Sequence, residues 1–233
     1  MTVNTRFPSP EWPRVPINGE TAAYPVHRIF CVGRNYAAHA AEMGAEVDRE
    51  APFYFTKSAL AFAASGRTLP YPPATSNYHH EVELVVALGA EAFRIEPAEA
   101  WETIYGYSCG LDMTRRDLQL AAREKQRPWD TAKDLEHSAV IGELTPADRF
   151  GTPVNQHIEL TVNGERRQAG RLGELVWGVD ELISDLSRYY HLAPGDLIMT
   201  GTPAGVGPVQ PGDRLVGEIE GLAPVNMTVG EPE

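Results

Sequence analysis

The chain has 233 residues, of which 42% are hydrophobic and 22% charged, and a net charge of −12. That length buries a core without a disulfide or structural metal as a staple. The acidic balance, with no basic stripe, argues against nucleic acid and against an anionic membrane surface as partners.

The opening stretch MTVNTRFPSPEWPRVP has no apolar run after its charges, so no signal peptide is expected. No window approaches the run of about 18 apolar residues that a membrane span needs, and a cytoplasmic protein is expected. Cys31 and Cys109 are too few and too far apart for a disulfide framework or a cysteine zinc site. Both are expected as small buried residues in a reducing compartment.

Residues 1–26, rich in Pro and polar residues, read as an N-terminal arm or short strand ahead of a single domain over 27–233. HRIFCVGRNY (27–36) reads as a strand entering a loop. AAHAAEMG (37–44) is a short helix closed by Gly44 as a C-cap. APFYFTKSALAF (51–62) reads as a strand entering a turn. In NYHHEVELVVALG (77–89), alternation puts Val82, Leu84, Val86 and Leu88 on one face. Glu81, Glu83, Val85, Ala87 and Gly89 fall on the other, so the strand is expected to be buried on both faces with two carboxylates at its mouth.

A short helix from about Pro97 precedes a strand to about Met113. TRRDLQLAAREKQ (114–126) reads as a helix with Thr114 or Asp112 near its start, ended by Pro128. HIELTVNGERRQAG (157–170) alternates on both sides of Asn163-Gly164, which suits a type I′ hairpin. GVDELISDLSRYYHL (178–192) is an amphipathic helix carrying Leu182, Ile183, Leu186 and Tyr189 or Tyr190 at helical spacing. Two PGD turns (194–196 and 211–213) each lead into a strand. The chain has no dinucleotide-binding glycine motif after a first strand and no phosphate-binding P-loop. A mixed α+β domain dominated by sheet fits this pattern best.

Glu81 and Glu83, two apart on a strand, share a face about 7 Å apart at the backbone. Such pairs are common on solvent-facing strands, but here the same face continues apolar. Buried carboxylates at close range must neutralise or share a cation, and an oxygen-rich set suits Mg²⁺, Mn²⁺ or Ca²⁺. Asp112, at a strand-to-helix junction, is a candidate third ligand or a helix N-cap. His79 and His80 invite a non-haem iron reading, but adjacent strand residues point to opposite faces. His39 and Glu42, at i and i+3 on a short helix, form a pair suited to activating water, although the same pair occurs on exposed helices. No nucleophilic-serine elbow is present, which leaves water as the attacking group. Lys133 lies in an apparent loop, where a lysine is usually solvated. MTGTPAGVGP (199–208) could cradle an anion or simply turn.

In series, CVGRNYAAHAAEMG, HHEVELVVALG, GLDMTRRDLQ, TAKDLEHS and TGTPAGVGPVQPGD resemble the fumarylacetoacetate hydrolase family. The short, single-domain acylpyruvase and fumarylpyruvate hydrolase branch is the nearest in pattern, over about residues 27–230. The resemblance implies a mixed β-sandwich roll with a few short helices, a homodimer, and one divalent cation, Mg²⁺ or Mn²⁺, held by Glu81, Glu83 and Asp112. It implies that His39 and Glu42 form the water-activating dyad on a lid, and that Lys133 lies near the cleaved bond. Arg116, Gln119 and Thr202 match positions that contact the substrate. Lys57-Ser58 departs from the Lys-Pro frequent in the family.

The implied activity is hydrolysis of a C–C bond in an acylpyruvate, a 2,4-dioxo acid. The leading substrate is fumarylpyruvate, cleaved to fumarate and pyruvate in gentisate or other aromatic catabolism. The alternatives are decarboxylation of oxaloacetate and decarboxylation with isomerisation in aromatic-acid catabolism. These need the metal but no activated water, so the dyad favours hydrolysis. A non-catalytic metal-binding protein on this fold is the remote alternative. The expected partner is a small dicarboxylic oxo-acid.

Overall fold

The computed structural model describes residues 6–7, 11–44 and 46–232. Residues 1–5 and 8–10 of the expected arm lie outside the described residues. Two sheets pack face to face. The larger has eight strands. Seven of them run in the spatial order Phe53–Lys57, Arg28–Gly33, Asp196–Met199, Val82–Leu88, Ile104–Asp112, Ala139–Ile141 and Phe62–Ala64. Thr145–Pro146 also pairs with Ile104–Asp112. The smaller has five strands in the order Glu165–Arg171, His157–Val162, Arg214–Ile219, Val225–Pro232 and Arg67–Tyr71. Parallel pairs, such as Asp196–Met199 on Arg28–Gly33, mix with antiparallel ones. This is the mixed β-sandwich roll with short helices that the family resemblance implies.

Alternation along Val82–Leu88 explains the stacking. Val82, Leu84, Val86 and Leu88 enter the core between the sheets, against residues such as Ile158, Leu160, Leu215 and Met227. Val85 and Ala87 enter a second core with Ile29, Cys31, Leu197 and Met199. A short antiparallel hairpin, Arg14–Pro16 with Ala23–Pro25, adds Val15 and Tyr24 to that second core. Each buried Val or Leu contributes about 1.5–3 kcal/mol, so the strand is fixed from both sides. Both cysteines are buried and free. No helix among the described residues is long and apolar enough to cross a membrane.

Most expected elements form where the pattern places them. Asn163 and Gly164 both have positive φ, 54° and 82°, as a type I′ turn requires. Three expectations are corrected. The helix expected over 114–126 runs Arg116–Glu124, because Thr114–Arg115 pairs as a strand with Tyr78 and His79. Neither Asp112 nor Thr114 caps it; Asp112 ends the strand Ile104–Asp112, and Arg115 takes the N-cap position. In the helix Val179–Tyr189 the buried stripe ends at Leu186 and Ser187. Tyr189 and Tyr190 are 62% and 42% exposed, because the helix stops there and the chain turns extended at Tyr190. Lys133 is not in a loop: it closes the short helix Asp130–Lys133 and is buried. The strands Arg67–Tyr71, Ala139–Ile141 and Val225–Pro232 were not anticipated.

Candidate active site

Strand register assembles the acidic centre. Val82–Leu88 pairs antiparallel with Ile104–Asp112, with Glu83 opposite Gly110 and Val82 opposite Leu111. Period-two alternation then puts Glu81, Glu83 and Asp112 on one face. One oxygen from each lies within 4.8 Å of the others, and the three residues are 4%, 2% and 0% exposed. The strand breaks at Glu81, whose carbonyl accepts the Asp112 N–H at 2.8 Å. A Cβ at Gly110 would lie 2.6 Å from Val85 Cγ2, so the layer beneath the carboxylates closes only with glycine there.

Three cationic side chains meet these three carboxylates unevenly. Lys133 Nζ donates to Glu81 Oε2 and Asp112 Oδ2, both at 2.7 Å. Arg116 donates to Glu81 Oε1 and to Gln119 Oε1. Fully buried Lys57 donates to Ser138 Oγ at 2.8 Å and to the carbonyls of Met113 and Lys133. Among the described residues, Glu83 accepts only the Gly201 N–H, at 2.8 Å. Burial pushes the Glu81 carboxyl up, but Lys133 and Arg116 outweigh it and hold it well below the usual range. For Glu83, burial and then the charges of Asp112 and Glu81 all push the same way, well above the usual range. Burial alone would lower Lys133; Asp112 and Glu81 raise it.

This arrangement fits a divalent cation. The donors are all carboxylate oxygens, the choice of hard ions such as Mg²⁺ and Mn²⁺. Asp112 Oδ1 is buried and, among the described residues, accepts no hydrogen bond, although Lys57 Nζ is 2.9 Å away outside hydrogen-bonding geometry. Glu83 remains short of positive charge. One cation on this face would answer both deficits.

His39 and Glu42 lie on the helix Ala37–Glu42, with His39 Nδ1 3.1 Å from Glu42 Oε2. With Nδ1–H donating to the carboxylate, Nε2 is left as the basic nitrogen. His39 is 7% exposed and lines the same cleft as Glu81, Glu83, Arg116 and Lys133. The Glu42 carboxylate accepts the Gly205 N–H at 3.1 and 3.2 Å. Gly205 has φ +99°, and a Cβ there would meet the Arg167 carbonyl at 2.1 Å. The helix ends as expected with Gly44 in the left-handed region, at φ +62°. Arg123 donates to the carbonyls of Met43 and Gly44 at 2.9 and 3.3 Å.

The structure thus brings His39, Glu81, Glu83, Arg116, Gln119, Lys133 and Thr202 to one cleft, with Glu42 and Asp112 directly behind it. The Thr202 hydroxyl is engaged within the protein: it donates to the Val82 carbonyl at 2.8 Å and accepts from Gln168 at 2.7 Å. His79 and His80 stay out of the acidic centre. His79 hydrogen-bonds Asn77 at 2.8 Å, and burial followed by Arg116 lowers it to about 4. His80 bonds Gln168 at 3.0 Å on the opposite face.

Sequence reasoning missed Gln168, Asn35 and Lys57. Gln168 is fully buried and ties Val82 N–H and His80 to Thr202 and the Pro203 carbonyl. Its one signal is an uncharged polar residue at an inward position of a strand whose neighbours are arginines. Asn35 bridges Thr200 and Trp177, and nothing in the sequence marks it.

The fumarylacetoacetate (FAA) hydrolase C-terminal family profile matches residues 28–230. A fumarylpyruvate hydrolase of Ralstonia sp is 54% identical over 194 residues, covering 82% of this chain and all of the relative. An oxaloacetate tautomerase of Escherichia coli (strain K12) is 38% identical over 204 residues, covering 87% and 93%. The crystal structure of a fumarylpyruvate hydrolase from Pseudomonas aeruginosa, in complex with Mn²⁺ and pyruvate, superposes with TM-score 0.95 at 46% identity. That match covers 98% of this chain and all of the other.

Proposed function

The chain belongs to the fumarylacetoacetate hydrolase family, and from this premise we propose that it is a metal-dependent hydrolase cleaving a C–C bond of an acylpyruvate, with fumarylpyruvate as its leading substrate. The observation that carries the reading is one cleft lined by Glu81 and Glu83, with Asp112 completing their buried carboxylate group just behind, and by a carboxylate-oriented histidine. The similarity to a fumarylpyruvate hydrolase over most of the chain supports the choice of substrate.

Glu81, Glu83 and Asp112 would hold one Mg²⁺ or Mn²⁺, which when bound supplies a Lewis acid for the substrate's oxygens. Arg116 and Gln119 bind and orient the substrate's acidic end, and Thr202 shapes that wall through its bonds to Val82 and Gln168. His39 Nε2 takes a proton from water, with Glu42 fixing the ring through Nδ1. The resulting hydroxide adds to the C4 carbonyl. The C3–C4 bond then breaks, its electron pair passing to the pyruvate end as an enolate. Lys133 stabilises that charge electrostatically, and C3 takes back the proton held by His39. Water and substrate thus give a carboxylic acid and pyruvate. The family resemblance also implies a homodimer, which light scattering tests; the cytoplasmic location we propose is tested by cell fractionation.

The tautomerase relative favours a second reading, proton transfer on oxaloacetate at the same site without an attacking water. Assays with fumarylpyruvate, acetylpyruvate and oxaloacetate, in Mg²⁺ and then Mn²⁺, separate the two. Release of fumarate and pyruvate is the expected result. Faster enol–keto interconversion of oxaloacetate, with neither acylpyruvate cleaved, would overturn the hydrolase reading.

A further inference from the structure

The inner cleft opens outward past Arg34, Phe55, Arg123 and Trp129, which also line a wider groove beyond it. Aromatic rings form a continuous wall along this path. Lys133 Nζ sits 4.8 Å from the centre of the Phe55 ring. Phe55 is followed by Phe53 at 6.5 Å and Trp129 at 6.0 Å, and Phe53 and Trp129 meet edge-on at 4.9 Å. The Arg34 guanidinium then lies over Phe53, 5.6 Å from its centre. The wall therefore runs from one cation at the acidic centre to another at the mouth.

Arg34 differs from the other cations of the cleft. Lys133 and Arg116 are paired with carboxylates, and Arg123 is bonded to the Met43 and Gly44 carbonyls. Arg34 is half-buried and, among the described residues, has no hydrogen bond or ion pair; its contact is the Phe53 ring. A partly desolvated guanidinium without a counter-charge is a ready partner for a carboxylate, which it can bind with two parallel hydrogen bonds. Its backbone is also held in an uncommon state, φ +60°, which a long side chain adopts at a cost. The next residue, Asn35, fixes that turn by bridging Thr200 and Trp177. Three arginines, Arg34, Arg123 and Arg127, face a single acidic residue, Asp130, along the outer groove. The local field there is positive although the chain carries −12.

We infer that Arg34 is a specificity-determining residue that binds the carboxylate at the far end of the substrate. This rests on the acylpyruvate reading and sharpens it. The site selects a flat, conjugated chain lying along Phe55 and Phe53, with an acidic group at each end. An acylpyruvate ending in a methyl group fills the inner cleft but leaves Arg34 without an anion.

The test is a ratio. In the metal-loaded protein, kcat/KM is measured for fumarylpyruvate and for acetylpyruvate, in the wild type, Arg34→Met and Arg34→Lys. Loss of a charge-assisted contact lowers the preference for the dicarboxylic substrate by about 10–100-fold in Arg34→Met. Arg34→Lys, which keeps the charge, recovers part of it. A merely structural role lowers both substrates together and leaves the ratio unmoved, which would overturn the assignment. If the wild type cleaves neither acylpyruvate, the hydrolase reading fails, and calorimetry with fumarate on the Mn²⁺-loaded protein decides the assignment by itself. Fumarate bound by the wild type and about tenfold or more weaker in Arg34→Met supports it. Equal binding, or none by the wild type, overturns it.

Discussion

Glu83 and Asp112 project from two neighbouring strands in the interior of the eight-stranded sheet, with cores on both sides of them. His39 faces the same cleft from a six-residue helix, with Glu42 behind it. A helix that short has little stability of its own; it is held by Gly205 on one side and Arg123 on the other. On the proposed reading the carboxylates sit on a frame buried on both sides and the dyad on a short element that opens more readily. Ion binding demands fixed distances, whereas admitting a substrate demands a part that moves. On the proposed reading, the two tasks fall to different kinds of structure.

The largest expected effect tests the rigid half. Glu83→Gln removes one of three carboxylates, and among the described residues no other carboxylate joins the group. The variant should lose its metal on gel filtration and fall to background activity. Full metal content by elemental analysis would break the assignment of the acidic face. His39→Ala tests the movable half. Its kcat should fall about 10²–10⁴-fold, the range for a general base, with metal content unchanged. If metal is lost as well, the two halves are not separable in the way their construction suggests.

How much of this could be read from the chain follows the same division. The two-faced strand Val82–Leu88, with Glu81 and Glu83 continuing the face of Val85, is a local pattern and was legible. So were the Asn163-Gly164 hairpin and the His39/Glu42 spacing. The family resemblance supplied Asp112 as their partner. Residue spacing alone left it open as a helix cap, because its place depends on a pairing of Leu111 with Val82 across 29 positions. The burial of Lys57 and Lys133 was hidden for a related reason. A lysine is read as solvated until its carboxylate partners are known, and those come from distant strands. The strand Val225–Pro232 was missed because its ladder partners, Arg67–Tyr71 and Arg214–Ile219, lie in segments whose pairing no local signal sets.

Gly110→Ala sharpens the claim that the frame is tightly closed. The added Cβ meets Val85 Cγ2 at 2.6 Å, the Val140 carbonyl oxygen at 3.3 Å and Met199 Cε at 3.4 Å, in a fully buried layer. Overpacking of this kind costs about 1–3 kcal/mol, which urea denaturation resolves. A neutral result would mean that the layer beneath the carboxylates adjusts, and that the frame is softer than its burial implies.

The smallest effect separates the halves most cleanly. Arg123 ties the carbonyls of Met43 and Gly44, at the C-terminal end of the short helix, to the helix Arg116–Glu124. Because Arg123 also lines the cleft, turnover alone would confuse holding the helix with touching the substrate. Amide hydrogen exchange reads the first without the second. Arg123→Gln withdraws two donors and a charge facing the helix's negative end, a loss of about 1–2 kcal/mol. Exchange across residues 37–44 should therefore speed up about 5–30-fold, while the amides of Val82–Leu88 keep their protection. Equal acceleration in both segments would show one cooperative unit in place of a rigid frame with a movable part.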